Sequence, residues 1–367
     1  MPPPTAVPRV HILGSAAPVP PSARTLYVDG SAGASFRPGA DLELSRWVPT
    51  STPDRWAADT STEICVRFLE DPPADAGSYD LAVNNHVDVD GILSVFCLVH
   101  PDLALAHRDV VVGAAEVGDL AAGGDRDAFV LAQELTLLMG GFGAPGRDPQ
   151  EAYEAAFALT RAVLAGTHPE TPSVTAGWDL LEAQAARLGR EVAVTQVDPR
   201  LVAYVLPPLG GDDRTAALHL PPFNAVVDAT VWLWPHVRNR AHGQAAHLVS
   251  LPVDGGWTHD LWLPTYVWAH TPDRWRPPVL EGTGSSNTWR IRSAPLAEAV
   301  AALRADERRP GTWVVADEVD PFAAVPGRAF PVILSFLDDG SRPTPSAHPP
   351  AEVATRLAPA LASAAQA

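Results

Sequence analysis

The stretch "YDLAVNNHVDVDGILSVF", Tyr79 to Phe96, decides how the first half of this chain folds. Its Leu-Ala-Val predicts a buried strand, and the apolar run that follows Gly91 predicts a helix. Between them stand two asparagines, a histidine and two aspartates, at the hand-over from one buried element to the next. Two carboxylates spaced i, i+2 beside an imidazole are costly to desolvate unless a cation or several hydrogen bonds compensate them. Along an extended H-x-D-x-D segment, His86, Asp88 and Asp90 fall on one side and Val87 and Val89 on the other. Three such groups can chelate a divalent cation, and mixed imidazole and carboxylate ligation suits Mn²⁺, Zn²⁺ or Fe²⁺, with Mg²⁺ a poorer fit. The competing reading is structural: Asp90 caps the following helix and His86 is a hydrogen-bonded core residue.

Outward from this stretch, "TLYVDGS" reads as a short strand. "DTSTEICVRFLED" reads as a helix that starts near Asp59 or Thr60, because Thr60 and Glu63 have capping-box spacing. "RDVVVGAAEVGD" reads as a β-branched strand and "AFVLAQELTLLM" as a helix, so strands and helices alternate as in a parallel sheet with crossovers. A strand-end loop in such a sheet is where ligands bind. Two more helices follow, in "GRDPQEAYEAAFALTRAVLAG" and "WDLLEAQAARLG". Beyond about residue 190 the texture becomes β-prone, with "EVAVTQV", "LVAYVLPP", "ATVWLWP", "AAHLVSLPV" and "DLWLPTYVWA". A helix "PLAEAVAALRAD", strands "TWVVADEV" and "FPVILSF" and an Ala-rich tail helix close the chain. The expected class is α/β, with a parallel-sheet N-terminal domain and a second, mixed α+β domain. The expected division is a Pro-rich arm over 1–24, a metal-binding domain over 25–190 and a substrate-closing domain over 191–367.

Composition removes several classes of function. The net charge of −17 opposes attraction to phosphate backbones and anionic membranes, so no nucleic-acid or membrane partner is expected. No stretch approaches the ~20 apolar residues of a membrane span and the N-terminus has no export-signal pattern, so the expected compartment is the cytoplasm. All 26 basic side chains are arginine, which excludes lysine Schiff-base chemistry and a P-loop. Cys65 and Cys97 each lie in an apolar run, as buried free thiols do. "GTGSSN" at 282–287 is a Gly-rich turn without the setting of a phosphate loop. The clustered His236, His242, His247, His259 and His270 and the Trp residues around them read as packing of a second core.

"HVDVDGILS" resembles the first motif of the DHH phosphoesterase superfamily, in which a strand ends in acidic residues that bind Mn²⁺ or Mg²⁺. That resemblance implies His86, Asp88 and Asp90 as metal ligands, Asp119 as the acidic residue of the family's second motif, and a smaller domain that closes over the substrate. The D-H-H tripeptide itself is absent. The metallo-β-lactamase pattern H-x-H-x-D-H fits less well, since Asp88 and Gly91 stand where two of its histidines would be.

A closer resemblance is to an uncharacterised bacterial family of unknown function with the motifs V-D-G, L-S-H-W-P, D-T-S-x-E-I, N-N-H-x-D-x-D-G and a later H-P-x-x-x-N-A-T. Here these are Val28-Asp29-Gly30, "LSRWVP" with Arg46 in place of the family His, "DTSTEI", "NNHVDVDG" and "HLPPFNAVVDAT". That resemblance implies His219 and Asn224, with Asn85 beside the metal loop, as candidate catalytic residues. The expected function is a metal-dependent hydrolase of the phosphoesterase type acting on a small anionic metabolite. The alternatives are a Lewis-acid enzyme without phosphate chemistry and a non-enzymatic ligand-binding protein.

Overall fold

In a computed structural model of the chain, the described residues are 8–30, 32–122, 124–140, 147–222, 224–282, 289–319, 325–328 and 331–362. Most of "GTGSSN" and residues 1–7 of the Pro-rich arm lie outside them. Four short strands, β1 (Arg9–Ile12), β2 (Thr25–Val28), β3 (Leu42–Leu44) and β4 (Leu81–Asn84), form an all-parallel sheet in the order β1-β4-β2-β3. β4 runs between two neighbours and every residue of it is buried, which is why it reads as an unbroken apolar run. β1 lies within the segment expected to be an arm. Its four residues pair with Leu81 to Asn84, and the prolines that suggested an arm flank the strand without interrupting it.

Helices α1 (Ser61–Glu70), α2 (Val89–Val99), α3 (Pro101–Ala106), α4 (Arg108–Leu120), α5 (Arg126–Gly140), α6 (Pro149–Leu164) and α7 (Pro172–Ala185) follow. α1 begins where the capping signal places it, with the Thr60 side chain accepting from the Glu63 amide. α4 corrects the sequence reading, which made this segment a strand ending at Asp119. Its three consecutive valines are β-prone, but Val111, Ala114 and Ala115 are buried at helical spacing. Two glycines let it pack closely. A Cβ at Gly113 would stand 2.9 Å from the Ala128 Cβ, and one at Gly118 would stand 2.8 Å from the Val89 Cβ.

The second half is built on β5 (Ala193–Asp198), β6 (Leu201–Val205), α8 (Gly211–Leu218), α9 (Pro235–His242), β7 (Ala246–Val253) and β8 (Gly256–Trp262). β9 (Leu280–Gly282), β10 (Trp289–Ile291), α10 (Ala294–Asp306), β11 (Thr312–Val315), β12 (Glu318–Val319), β13 (Val332–Leu337) and α11 (Pro350–Leu361) complete it. Six strands form a mixed sheet in the order β11-β13-β8-β7-β6-β5, in which only β6 and β7 are parallel, and β12-β10-β9 form a small antiparallel sheet. The fold class is thus mixed α/β, with the parallel sheet N-terminal and the mixed sheet separate from it. "ATVWLWP" is not a strand. The Gln184 side chain donates to the Val231 carbonyl and accepts from the Trp234 amide, both at 2.8 Å, and so satisfies a buried turn that leads into α9. "TYVWA", likewise expected to be β, is a buried turn after β8.

The chain divides into two compact units. The first contains residues 1–178, 224–227 and 269–273, and the second contains 179–223, 228–268 and 274–367. The two short returns belong to the first unit through specific bonds. The Val227 amide donates to the Gln133 side chain, and the His270 amide donates to the Arg46 carbonyl.

Candidate cation site at the carboxyl edge of the parallel sheet

Parallel strands end together, so the residues that follow β2, β3 and β4 meet at one edge of the sheet. Asp29 follows β2, Arg46 and Trp47 follow β3, and His86 and Asp88 follow β4. Asp29 holds a left-handed backbone at φ 50°, uncommon for a residue with a side chain, and its carboxylate is buried. The Trp47 indole N–H (2.9 Å) and the Ser61 hydroxyl (2.8 Å) both donate to Asp29 Oδ1. Asp29 Oδ2 meets His86 Nδ1 at 2.9 Å, and Asp88 Oδ2 lies 3.8 Å from the same nitrogen. Asp29, His86 and Asp88 therefore offer three ligand atoms within 4.8 Å of one another. The Asp29 side chain is 1% exposed, against 27% for His86 and 21% for Asp88, so the cluster opens to solvent on the side of the β4 loop.

The loop is fixed from several sides. The Asn84 side chain accepts from the His86 amide and donates to the Gly91 carbonyl, and the buried Tyr153 hydroxyl donates to the His86 carbonyl at 2.6 Å. Asn85 is exposed, and its Oδ1 presses against Gly30, where an added Cβ would stand 1.9 Å away. Gly30, at φ 63°, is therefore the residue that lets the β2 and β4 loops close on each other.

Asp90 and Asp119 do different work from the ligand role expected of them. The cap of α2 is Asp88, whose side chain accepts from the Gly91 amide, so the helix begins at Val89 and the extended H-x-D-x-D geometry ends before Asp90. Asp90 then points into the core, where its two oxygens accept from the Ser61 and Thr62 amides at 2.9 and 2.8 Å and supply partners for the open N-terminus of α1. Arg46, fully buried, sits between Asp90 (3.8 Å) and Asp119, to which its Nη2 donates. Asp119 reaches this place from the last turn of α4, not from a strand end.

The charges do not balance. Four acidic groups, Asp29, Asp88, Asp90 and Asp119, face one arginine, Arg46, and the His86 ring. The site registers this as proton affinity. Burial and repulsion from Asp29 raise Asp88, and the same causes raise Asp90 to about 6 against the opposing pull of Arg46. Burial holds Asp119 well above the usual carboxylate range. Burial alone would depress His86, yet Asp29 and its hydrogen bond, with Asp88 behind, raise it to about 10. Asp119 Oδ1 is also buried without a hydrogen-bond partner. A divalent cation at Asp29, His86 and Asp88 would supply the missing charge, and the donor set suits one.

The remaining sequence candidates stand elsewhere. His219 caps the C-terminus of α8 in the second unit and lines a cleft there. Asn224 belongs to the first unit, left-handed at φ 53° with Oδ1 buried, and among the described residues no hydrogen bond ties it to the Asp29 cluster. The residues that the reading did not assign to the site are Asp29, Arg46, Trp47, Ser61 and Tyr153. For the first four a signal existed, because V-D-G, L-S-x-W-P and D-T-S were motifs with no assigned role.

The chain belongs to a family of unknown function (DUF6687), whose sequence profile matches residues 16–209. That span contains every residue of the cluster, from Asp29 to Tyr153. No curated protein and no solved structure matches the chain. Among the described residues, no helix is long and apolar enough to cross a membrane.

Proposed function

We propose that this protein is a metal-dependent hydrolase acting on a small anionic metabolite, with Asp29, His86 and Asp88 holding a single divalent cation, Mn²⁺ or Zn²⁺ before Mg²⁺. The observation that carries the reading is the convergence of those three ligand atoms within 4.8 Å at the carboxyl edge of the parallel sheet. A cation held there would polarise a phosphoryl or carbonyl oxygen of the substrate. The chain's own residues do the rest. Trp47 and Ser61 fix Asp29, Asp29 fixes the His86 ring, and Tyr153 anchors the His86 backbone, so the cluster is organised before anything binds. A cleft of about 330 Å³ is lined by Val87 of the same loop with Leu13, Met139, Arg147, Asp148 and Ala152.

The phosphoesterase form of the reading draws on the strand-end H-x-D-x-D-G that resembles the DHH superfamily. One observation favours a Lewis-acid enzyme without phosphate chemistry. Arg46 occupies the space between Asp90 and Asp119, so three ligands would remain for one cation. Assay of the Mn²⁺-loaded and Zn²⁺-loaded protein against a panel of phosphomonoesters and phosphodiesters separates the two. Hydrolysis that disappears in Asp88→Asn supports the phosphoesterase. Loaded protein inert toward the whole panel rejects it and leaves the Lewis-acid reading.

A further inference from the structure

The second unit contains a narrow cleft lined by Leu206, His219, Leu233, Arg238, Val249 and Trp262. Its free volume is about 20 Å³. A water needs roughly 10–15 Å³, so the cleft admits a water or one small planar group. Arg238, on α9, is 2% exposed. Among the described residues its guanidinium has no carboxylate hydrogen-bonded to it. Its Nη1 reaches His247 Nδ1 at 3.4 Å, and its Cζ lies 4.2 Å from the centroid of the Trp262 ring. His247 is a neutral partner, because burial, then the charge of Arg238, lowers it to about 3, and its Nε2 donates to the His242 carbonyl. The carboxylate of Asp260, which also lines the cleft, is held by two nitrogens of Arg328. Arg238 Nε is buried without an acceptor, and so is the Trp262 indole N–H.

Two buried N–H donors on one cleft, one of them part of a full positive charge, both lack an acceptor. Such groups are normally satisfied, and a buried guanidinium is expensive to leave without an anion. We propose that this cleft binds the carboxylate of a short aliphatic acid, which accepts from Arg238 and Trp262 while its tail extends out of the cleft. A monoanion matches the single guanidinium, whereas a phosphate dianion would leave excess charge beside Asp260. A planar carboxylate also suits so thin a space. His219, which the sequence singled out, borders this site. The inference rests on the second unit alone and is independent of the cation site.

The test is titration calorimetry with ligand-observed NMR, using sodium propionate at constant ionic strength on the full chain, with and without EDTA. The wild type binds propionate saturably and EDTA changes nothing. Trp262→Phe, which keeps the ring and removes the N–H, weakens binding about tenfold, as loss of one hydrogen bond to a charged group should. Arg238→Met abolishes binding, and Trp262→Phe keeps the test decisive if that variant does not fold. Absence of saturable binding in the wild type, Trp262→Phe binding as tightly as wild type, loss of binding in EDTA, or inorganic phosphate binding more tightly than propionate would each overturn the proposal.

Discussion

At the scale of single residues, the decisive pairing is one cation fixed by the sequence against four carboxylates. Arg46 lies between Asp90 and Asp119 and compensates them without any metal. Removing one partner of a fully buried ion pair costs about 3–5 kcal/mol. Arg46→Met should therefore lower unfolding stability by that amount in urea titrations, and a loss below about 1 kcal/mol would mean that the pair is idle. Arg46→His should open the Asp90–Asp119 side to a second ion, read as one more metal per chain than the parent binds under the same loading. His86 carries a pH signature. With its folded pKa raised to about 10, the His86–Asp29 pair stabilises the metal-free fold fully below about 6.5, and that contribution is lost as pH rises through 10. Metal affinity runs the other way, because the cation must displace the His86 proton. Calorimetry in buffers of different ionisation enthalpy should show about one proton released per metal at pH 7, and affinity that rises with pH. Binding without proton release would remove His86 from the ligand set. His86 and Asp88 were legible from the sequence because they sit in one loop. Asp29 was not, since only the pairing of β2 with β4 brings it there.

At the scale of elements, the site is a product of how helices begin. Asp88 stops the extended segment and starts α2, and that choice sends Asp90 away from the cluster to the N-terminus of α1. Sequence periodicity located both helices but not the hand-over, because a two-residue shift in a cap is invisible to the apolar pattern. α4 shows the opposite failure. Its β-branched run outweighed the 3.6-residue spacing of Val111, Ala114 and Ala115, and only its packing against α2 and α5 decides for helix. Gly118 lies at that packing point, with Val89 2.8 Å from where its Cβ would be. Gly118→Ala should cost about 1–3 kcal/mol as an overpacked contact. Since Val89 is the first residue of α2, it should also weaken metal binding through Asp88. A thermal melt and a metal titration of this variant check both parts, and unchanged values in both would mean that α4 does not position the loop.

At the scale of the whole molecule, alternation of strands and helices announced the parallel sheet, and the β-prone second half announced the mixed one. The pieces at 224–227 and 269–273 that return to the first unit were not announced, because they are held by bonds to residues distant in sequence, Gln133 for the first and Arg46, Asp59 and Arg67 for the second. The charge of −17 makes a second whole-chain statement: a fluorescent single-stranded RNA should show no salt-sensitive binding, and a steep salt dependence would mean that a local basic groove outweighs the net charge. The central claim, that the carboxyl edge of the parallel sheet holds one divalent cation, is tested most directly by elemental analysis. The wild type and an Asp29→Asn, Asp88→Asn double variant would each be incubated with Mn²⁺ or Zn²⁺ and then desalted. The account predicts one metal per wild-type chain and close to none in the variant. Equal metal in both, or none in the wild type after loading, would contradict it.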